Sequence, residues 1–268
     1  MRGQVIATTS MKGGVGKTET SLNIAVAIRK LTGKRVIVVD FDIPYGGVAQ
    51  ALALKKESSI SDWIRTNRIV SEEAVKKLVL SHSSGIDILP AIASANDLER
   101  FTTEVAERIL HQLTTIYDYV VIDSGVDLGP TTRLALTAAD FVVIVTTPHN
   151  ASIWNNHQYK EDLVRMGVHP GKMILFINKV SPSQDIEMKD IIHVFKNAGV
   201  PIQKIFSAND EDQIRRLRNF RDFVYIKQPH STFSKAINEI LGHIGVAPSP
   251  ITHAKSSSFW DALRRLLG

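Results

Sequence analysis

SMKGGVGKT, at residues 10–18, decides how the rest of the chain is organised. An apolar run typical of a short buried strand precedes it at residues 5–8, and residues 20–28 follow with the apolar spacing of a helix. Glycines let the backbone of such a loop turn tightly, so that several N–H groups point at one anion, and the helix amino terminus adds its positive dipole end. The sequence therefore predicts a phosphate-binding loop between a strand and a helix.

Two lysines and a threonine give this loop its chemistry. Lys17 supplies a point charge for the β- and γ-phosphates of a nucleotide, and the Thr18 hydroxyl is placed to hold Mg²⁺. The common pattern G-x-x-x-x-G-K-[ST] requires glycine at position 11, where this chain has Met11, and a second lysine, Lys12, precedes the glycine pair. A glycine turn with two solvated lysines is the alternative interpretation.

The form x-K-G-G-x-G-K-[ST] resembles the deviant Walker A motif of the MinD/ParA family of P-loop ATPases, and the resemblance covers residues 3–245. In that family the extra lysine reaches the nucleotide of the other subunit. The resemblance therefore implies ATP and Mg²⁺ as ligands and an ATP-dependent homodimer in which Lys12 acts across the interface. The iron–sulfur branch of the family is excluded, because the chain has no cysteine.

Carboxylates stand at the ends of two other apolar runs. Residues 35–40 end in Asp40, with Asp42 close behind, and residues 119–124 contain Asp123. Ligands of an open α/β sheet bind at the carboxyl ends of its strands, so these acids fit a nucleotide site. The resemblance assigns Asp42 to the attacking water, and Asp40 and Asp123 to Mg²⁺ through water. Turn formation is the alternative for the first two acids.

A further apolar run, at residues 173–179, ends in Asn178 and Lys179. The resemblance assigns this asparagine to the adenine base, because an amide satisfies both a donor and an acceptor on a base edge. A turn-forming asparagine is the alternative. The predicted site comprises Lys12, Lys17 and Asp42 as catalytic residues, Thr18, Asp40 and Asp123 at the metal, and Gly13, Gly14, Val15, Gly16, Lys17, Thr18, Glu19 and Asn178 at the nucleotide.

Two features depart from the family pattern. Glu19 stands where the family usually has a threonine that helps to bind the α-phosphate, and a carboxylate there repels phosphate unless it turns away or finds a cation. Residues 43–49 are unlike the corresponding segment of MinD and are closer to the CpaE/TadZ relatives. The class is therefore clear, and the subfamily stays open.

Strand-like and helix-like runs alternate along residues 1–245, and the strands are almost continuously apolar. This pattern predicts an α/β protein of the three-layer P-loop NTPase type, in which helices cover both faces of a mostly parallel sheet. No apolar run approaches the roughly 18 residues of a membrane span, and the amino terminus leads directly into the first strand without room for a signal peptide. We therefore expect a cytoplasmic protein.

The end of the chain has a different character. Residues 246–256 contain two prolines and several small polar residues, and they predict a flexible linker. Residues 257–268 predict an amphipathic helix, with two arginines opposite its apolar face and Ser257 or Ser258 as its cap. That face carries the membrane-binding candidates Phe259, Trp260, Leu263, Leu266 and Leu267.

Three functions remain open at this stage. The first is a MinD-like ATPase that dimerises with ATP, attaches to the inner face of the cell membrane and places division, flagellar or pilus machinery with an activator or cargo protein. The second is a ParA-like partition ATPase that contacts DNA through the arginines of residues 215–221. The third is a CpaE/TadZ-like scaffold with little ATP turnover. The net charge of +5 permits anionic membranes and DNA alike, and the terminal helix could also dock on its own domain.

Overall fold

A computed structural model describes residues 2–44, 46–55, 57–66, 71–184, 186–212, 214, 217 and 222–246. Eight strands are present in these ranges: β1 Gln4–Thr9, β2 Val36–Phe41, β3 Leu80–Ser81, β4 Asp87–Leu89, β5 Tyr119–Ser124, β6 Phe141–Thr146, β7 Met173–Val180 and β8 Lys204–Asn209. The described helices are α1 Lys17–Thr32, α2 Val48–Ala51, α3 Ile60–Thr66, α4 Glu72–Leu78, α5 Thr103–Ile116, α6 Pro130–Ala138, α7 Asn150–Arg165, α8 Met188–Asn197, α9 Val224–Lys227 and α10 Thr232–His243.

The strands form one sheet in the order β3-β4-β2-β5-β1-β6-β7-β8. Every described pairing is parallel except the short β3–β4 pair at one edge. β1 therefore lies in the interior of the sheet between β5 and β6, and the loop that follows it opens where neighbouring strands also end. The predicted fold class, a mostly parallel α/β sheet of the P-loop NTPase type, is confirmed.

Helices cover both faces of this sheet and enclose two apolar cores. One core packs the helices α3 to α8 against one face, and the other packs α1, α9 and α10 against the opposite face. The central strands are buried on both sides because side chains of alternate residues enter different cores; Val38 and Val39 of β2, for example, belong to opposite ones. This burial explains why the strands read as continuous apolar runs in the sequence.

Five of these elements were not predicted from the sequence, and two of them are the four-residue helices α2 and α9. α6 begins with Pro130 directly after the loop at residues 125–129, and α8 is an amphipathic helix of ten residues. β3 has only two residues and adds the antiparallel edge pair. The last strand begins at Lys204, and the Ile202 amide before it caps α8 by donating to the Phe195 carbonyl.

The described chain ends at Val246. Val246, the first residue assigned to the linker, is buried and donates its amide to the Leu241 carbonyl. The rest of the linker and the amphipathic helix at residues 257–268 lie outside the described residues, as do the arginines of residues 215–221. No helix in the described part of the chain is both long enough and apolar enough to cross a membrane.

Candidate functional site

The phosphate-binding loop joins the end of β1 to the start of α1. Gly14 and Gly16 have φ values of 75° and 100°, in the left-handed region that favours glycine, and Gly16 caps the amino terminus of α1. A side chain at position 16 would also have no room, since its Cβ would lie 2.4 Å from the Asn178 side-chain nitrogen. Glycine is therefore required here by both the backbone and the packing, as expected for a loop that turns its N–H groups towards an anion.

Lys17 is held inside the site. Its ammonium donates to the Ser124 carbonyl at 2.5 Å and lies 3.4 Å from Asp42 Oδ2. The Lys17 side chain is only 8% exposed, whereas that of Asp42 is 40% exposed. The structure thus brings the two predicted catalytic residues together at the carboxyl end of the sheet, with the lysine inside and the carboxylate open to water.

Thr18 and Asp123, two residues predicted to lie at the metal, are also in direct contact. The Thr18 hydroxyl donates to Asp123 Oδ2 at 2.6 Å, and the Ser21 hydroxyl donates to Asp123 Oδ1 at 3.0 Å. Burial raises the pKa of Asp123, while the charge of Lys17 and the two hydroxyl hydrogen bonds oppose that rise. A hydroxyl and a carboxylate oxygen at this distance are donors of the kind that Mg²⁺ prefers.

Asp40 lies beside Asp123, because the two residues are register partners on β2 and β5. Every hydrogen bond that the structure gives its side chain comes from the following loop: the amides of Gly47 and Val48 donate to Oδ2, and the Asp42 amide donates to Oδ1. Burial and the neighbouring Asp123 raise the pKa of Asp40 to about 7. Through these three hydrogen bonds the Asp40 carboxyl group fixes the shape of the loop that carries Asp42.

Hydrogen bonds from α7 and from Ser10 hold the backbone around Lys12 in place. The buried Asn156 side chain accepts from the Met11 amide at 3.1 Å, and Ser10 Oγ accepts from the Lys12 amide at 3.1 Å. The Lys12 side chain itself is half-buried, and no described residue forms a hydrogen bond or ion pair with its ammonium. Sequence patterns gave no indication of Asn156, since its role depends on where α7 packs.

Asn178 lies under the phosphate-binding loop. Its side-chain nitrogen donates to the Val15 carbonyl at 2.9 Å, and its oxygen accepts from the Lys179 amide at 3.0 Å. The side chain is 2% exposed, and its two hydrogen bonds hold it against the loop. Its contact with adenine stays a prediction.

Lys179 is a member of the site that the sequence did not reveal. It has a φ of 60°, unusual for a residue with a side chain, at a register shift between β7 and β8. Its ammonium donates to the Gly14 carbonyl at 2.7 Å. Asn178 and Lys179 therefore hold two successive carbonyls of the phosphate-binding loop, and backbone strain of this kind is commonly found at ligand sites.

A cavity of about 500 Å³ opens above these groups. One end is formed by the phosphate-binding loop with Glu19 and Asp42, and the other is more apolar. The volume suits a small ligand with a charged and an apolar part. The lining residues are Gly13, Gly14, Gly16, Lys17, Thr18, Glu19, Leu22, Asn23, Asp42, Ala51, Leu52, Val126, Lys179, Asp222 and Phe223.

The donor set fits a magnesium nucleotide better than a metal held by protein alone. In the described part of the chain no cluster of three or more histidine, cysteine, aspartate or glutamate side chains could hold a metal ion. Mg²⁺ typically takes one or two protein oxygens and completes its shell with water and substrate phosphates. Thr18 and Asp123 provide such a pair beside a loop shaped for phosphate.

Comparisons with known proteins agree with this geometry. The family model described as "AAA domain" matches residues 3–159. The chain is 29% identical to the flagellum site-determining protein YlxH of Helicobacter pylori over 252 residues, which cover 88% of this chain and 80% of that protein.

Two solved structures show the same fold. A ParA family ATPase from Chlorobium tepidum superposes with a TM-score of 0.78 at 24% identity, covering 90% of this chain and 99% of that one. The septum site-determining protein MinD of Pyrococcus horikoshii, solved with Mg-ADP, superposes with a TM-score of 0.73 at 18% identity, covering 90% and 96%.

Proposed function

Because the chain belongs to the MinD/ParA family of P-loop ATPases, we propose that it is a switch that dimerises when it binds Mg-ATP and separates after hydrolysis. ATP binding and hydrolysis are properties of the family. The proposal adds the dimer, the membrane as its site of action and the placement of cellular machinery as its purpose.

One observation carries the dimer: the Lys12 ammonium has no partner in the described part of its own chain, although the backbone around it is fixed. The other charged groups of the site are engaged, Lys17 with Ser124 and Asp42, and Asp123 with Thr18. Lys12 also does not line the cavity of its own protomer. A second copy whose phosphates face this lysine would supply the missing partner.

The residues of the site divide the hydrolysis of ATP between them. The loop amides and Lys17 bind the phosphates, and Thr18 with Asp123 would hold Mg²⁺, which neutralises charge on the β- and γ-phosphates when bound. Asp42, which is open to solvent, orients a water molecule that attacks the γ-phosphorus. The bond from that phosphorus to the bridging oxygen breaks, giving ADP and inorganic phosphate. Asn178 and Lys179 keep the loop in shape.

The terminal segment explains how dimerisation would strengthen binding to a membrane. Five large apolar side chains on one helix face give an upper limit of about 10 kcal/mol for burial, and forming a short free helix consumes much of it. One copy is therefore a weak anchor, and two copies on a dimer bind with avidity. ATP would in this way control attachment to the inner face of the membrane, where an activator and a cargo protein act on the dimer.

A DNA-partition ATPase is the second candidate. Four arginines occur within residues 215–221, and the structural neighbours include a ParA family ATPase. Such a protein would bind DNA with ATP, lose that binding as salt rises, and have no need of an apolar terminal face. A scaffold with little turnover is distinguished from both by its rate of hydrolysis.

One experiment separates these functions. The full-length protein is incubated with Mg-ADP or Mg-ATP, its mass is measured by light scattering, and its binding to phosphatidylglycerol-containing vesicles is measured by flotation. We expect dimerisation and flotation with ATP only, and loss of flotation in Trp260→Glu. ATP-dependent dimers that do not float and instead bind duplex DNA would assign the second function.

A further inference from the structure

The amino-terminal edge of the sheet lies at the opposite end of the strands from the nucleotide site. β1 has six residues at about 3.3 Å each, so roughly 20 Å separates this edge from the phosphate-binding loop. The described chain also leaves the domain at this edge, because the Ile244 carbonyl accepts from the side chain of Gln4 at the start of β1. Any surface that acts together with the terminal segment would be found here.

Exposed lysines lie around the exit, the point near Ile244 at which the described chain leaves the domain. Lys30 and Lys34 lie at the end of α1, and their ammonium groups stand 5.9 Å from the Tyr225 ring centroid and 5.8 Å from that of Tyr119. Lys204 begins β8 on the other side of α10, close enough to His243 to help burial lower the pKa of that ring. We call Lys30, Lys34 and Lys204 the exit patch.

Two acids at this edge, Asp140 and Asp118, already have partners. Asp140 binds the Arg2 guanidinium at 2.7 Å and the Val5 amide at 2.8 Å. The Asp118 carboxylate accepts from the Arg35 amide at 2.8 Å. Glu239 remains as an exposed acid on α10, one helical turn before His243. The ion pairs of the described residues do not include the lysines of the exit patch, and all three lysines are exposed.

We propose that the exit patch is a second membrane contact, which binds the anionic headgroups of the bilayer on which the terminal helix rests. The inference depends on the proposed membrane attachment. A lipid surface is favoured over DNA because an apolar, aromatic segment begins at Phe259, 13 residues after Val246 at the end of the described chain, and such a face has no partner on a phosphate backbone. Each lysine near an anionic surface contributes enough to strengthen binding about fivefold.

The test compares Lys34→Gln/Lys204→Gln with Lys55→Gln/Lys189→Gln, which has the same net charge but changes lysines that follow the carboxyl ends of β2 and β7. Binding to phosphatidylcholine vesicles with and without 30% phosphatidylglycerol is measured with Mg-ATP, next to ATP turnover. We expect the first variant to bind the anionic vesicles about 25-fold more weakly, with neutral vesicles and turnover unchanged. The control pair should match the wild type.

Two results would overturn the exit patch as a lipid contact, and a third would overturn the proposed membrane attachment. Equal binding of both variants to anionic vesicles removes the exit patch as a lipid contact. Loss of duplex-DNA binding in the first variant, with vesicle binding intact, makes the patch a nucleic-acid surface. A wild type that dimerises with ATP but binds neither kind of vesicle overturns membrane attachment itself.

Discussion

The hydroxyl of Thr18 and the carboxylate of Asp123 lie 2.6 Å apart, although 105 residues separate them in the chain. The sheet order explains the contact, since β1 and β5 are parallel neighbours and the residues that follow or end them meet at one edge. The hydrogen bond joins the phosphate-binding loop to the adjacent strand, and we propose the two side chains as ligands of Mg²⁺.

Removal of the Thr18 hydroxyl tests the metal site. Thr18→Val keeps the shape of the side chain, and we expect ATP turnover to fall on the order of 10²-fold because the metal loses a ligand. Binding of ATP in the presence of EDTA should change little. Thr137→Val, whose hydroxyl bonds only within its own helix, is the matched control. Turnover of Thr18→Val equal to that of the control would remove Thr18 from the metal.

Replacement of Asp42 tests the hydrolytic step. Asp42→Asn keeps the size of the side chain but cannot orient water as a carboxylate does, so kcat should fall by about 10²- to 10⁴-fold. Dimerisation with ATP should persist or last longer, because the nucleotide is not consumed. Asp162→Asn, on the exposed side of α7, serves as the control. Unchanged turnover in Asp42→Asn would contradict the role given to this carboxylate.

Asn178→Ala distinguishes a loop-positioning residue from a base-recognising one. Loss of the bond to the Val15 carbonyl loosens the loop, so affinity for ATP and for GTP should weaken together, by about tenfold. Fluorescent nucleotide titration measures both, and Asn197→Ala at the exposed end of α8 is the control. A loss confined to ATP would show that the side chain reads the adenine edge after all.

Titration of Asp40 predicts a dependence of stability on pH. Its pKa is about 7 in the folded protein and 3.8 in the unfolded reference, so the native state binds the extra proton between these values. The contribution of Asp40 to the free energy of unfolding therefore falls as pH rises from about 4 to about 7, and is constant above.

The measurement is denaturant unfolding of the nucleotide-free protein in EDTA, compared with Asp40→Asn across this pH range. The variant cannot ionise at this position, so its stability relative to the wild type should increase with pH. A difference between the two proteins that does not change with pH would contradict the raised pKa.

The sequence predicted those parts of the site that short local patterns encode. Residues 10–18 and the acids after two apolar strands were sufficient to bring Lys17, Thr18, Asp42 and Asp123 together, because strand direction in an α/β sheet follows from chain order. The alternation of apolar strands with helices likewise predicted the mostly parallel sheet.

The residues that sequence reasoning missed act through tertiary contacts. Asn156 reaches Met11 from the middle of α7, and Lys179 reaches Gly14 from a strand bulge, and neither spacing nor composition marks such a position. For Asp40 the family resemblance implied a role at the metal through water, which stays a prediction, and the structure adds that its Oδ2 accepts from two amides of the following loop.

The central claim is that Lys12 couples ATP to dimerisation. The most direct measurement is the mass of full-length wild type and of Lys12→Ala by light scattering, each with saturating Mg²⁺ and a non-hydrolysable ATP analogue. The account predicts a change from 29.7 kDa to about twice that mass for the wild type, while Lys12→Ala binds the analogue and stays a monomer. A wild type that remains monomeric with bound analogue, or a Lys12→Ala protein that dimerises equally well, would contradict it.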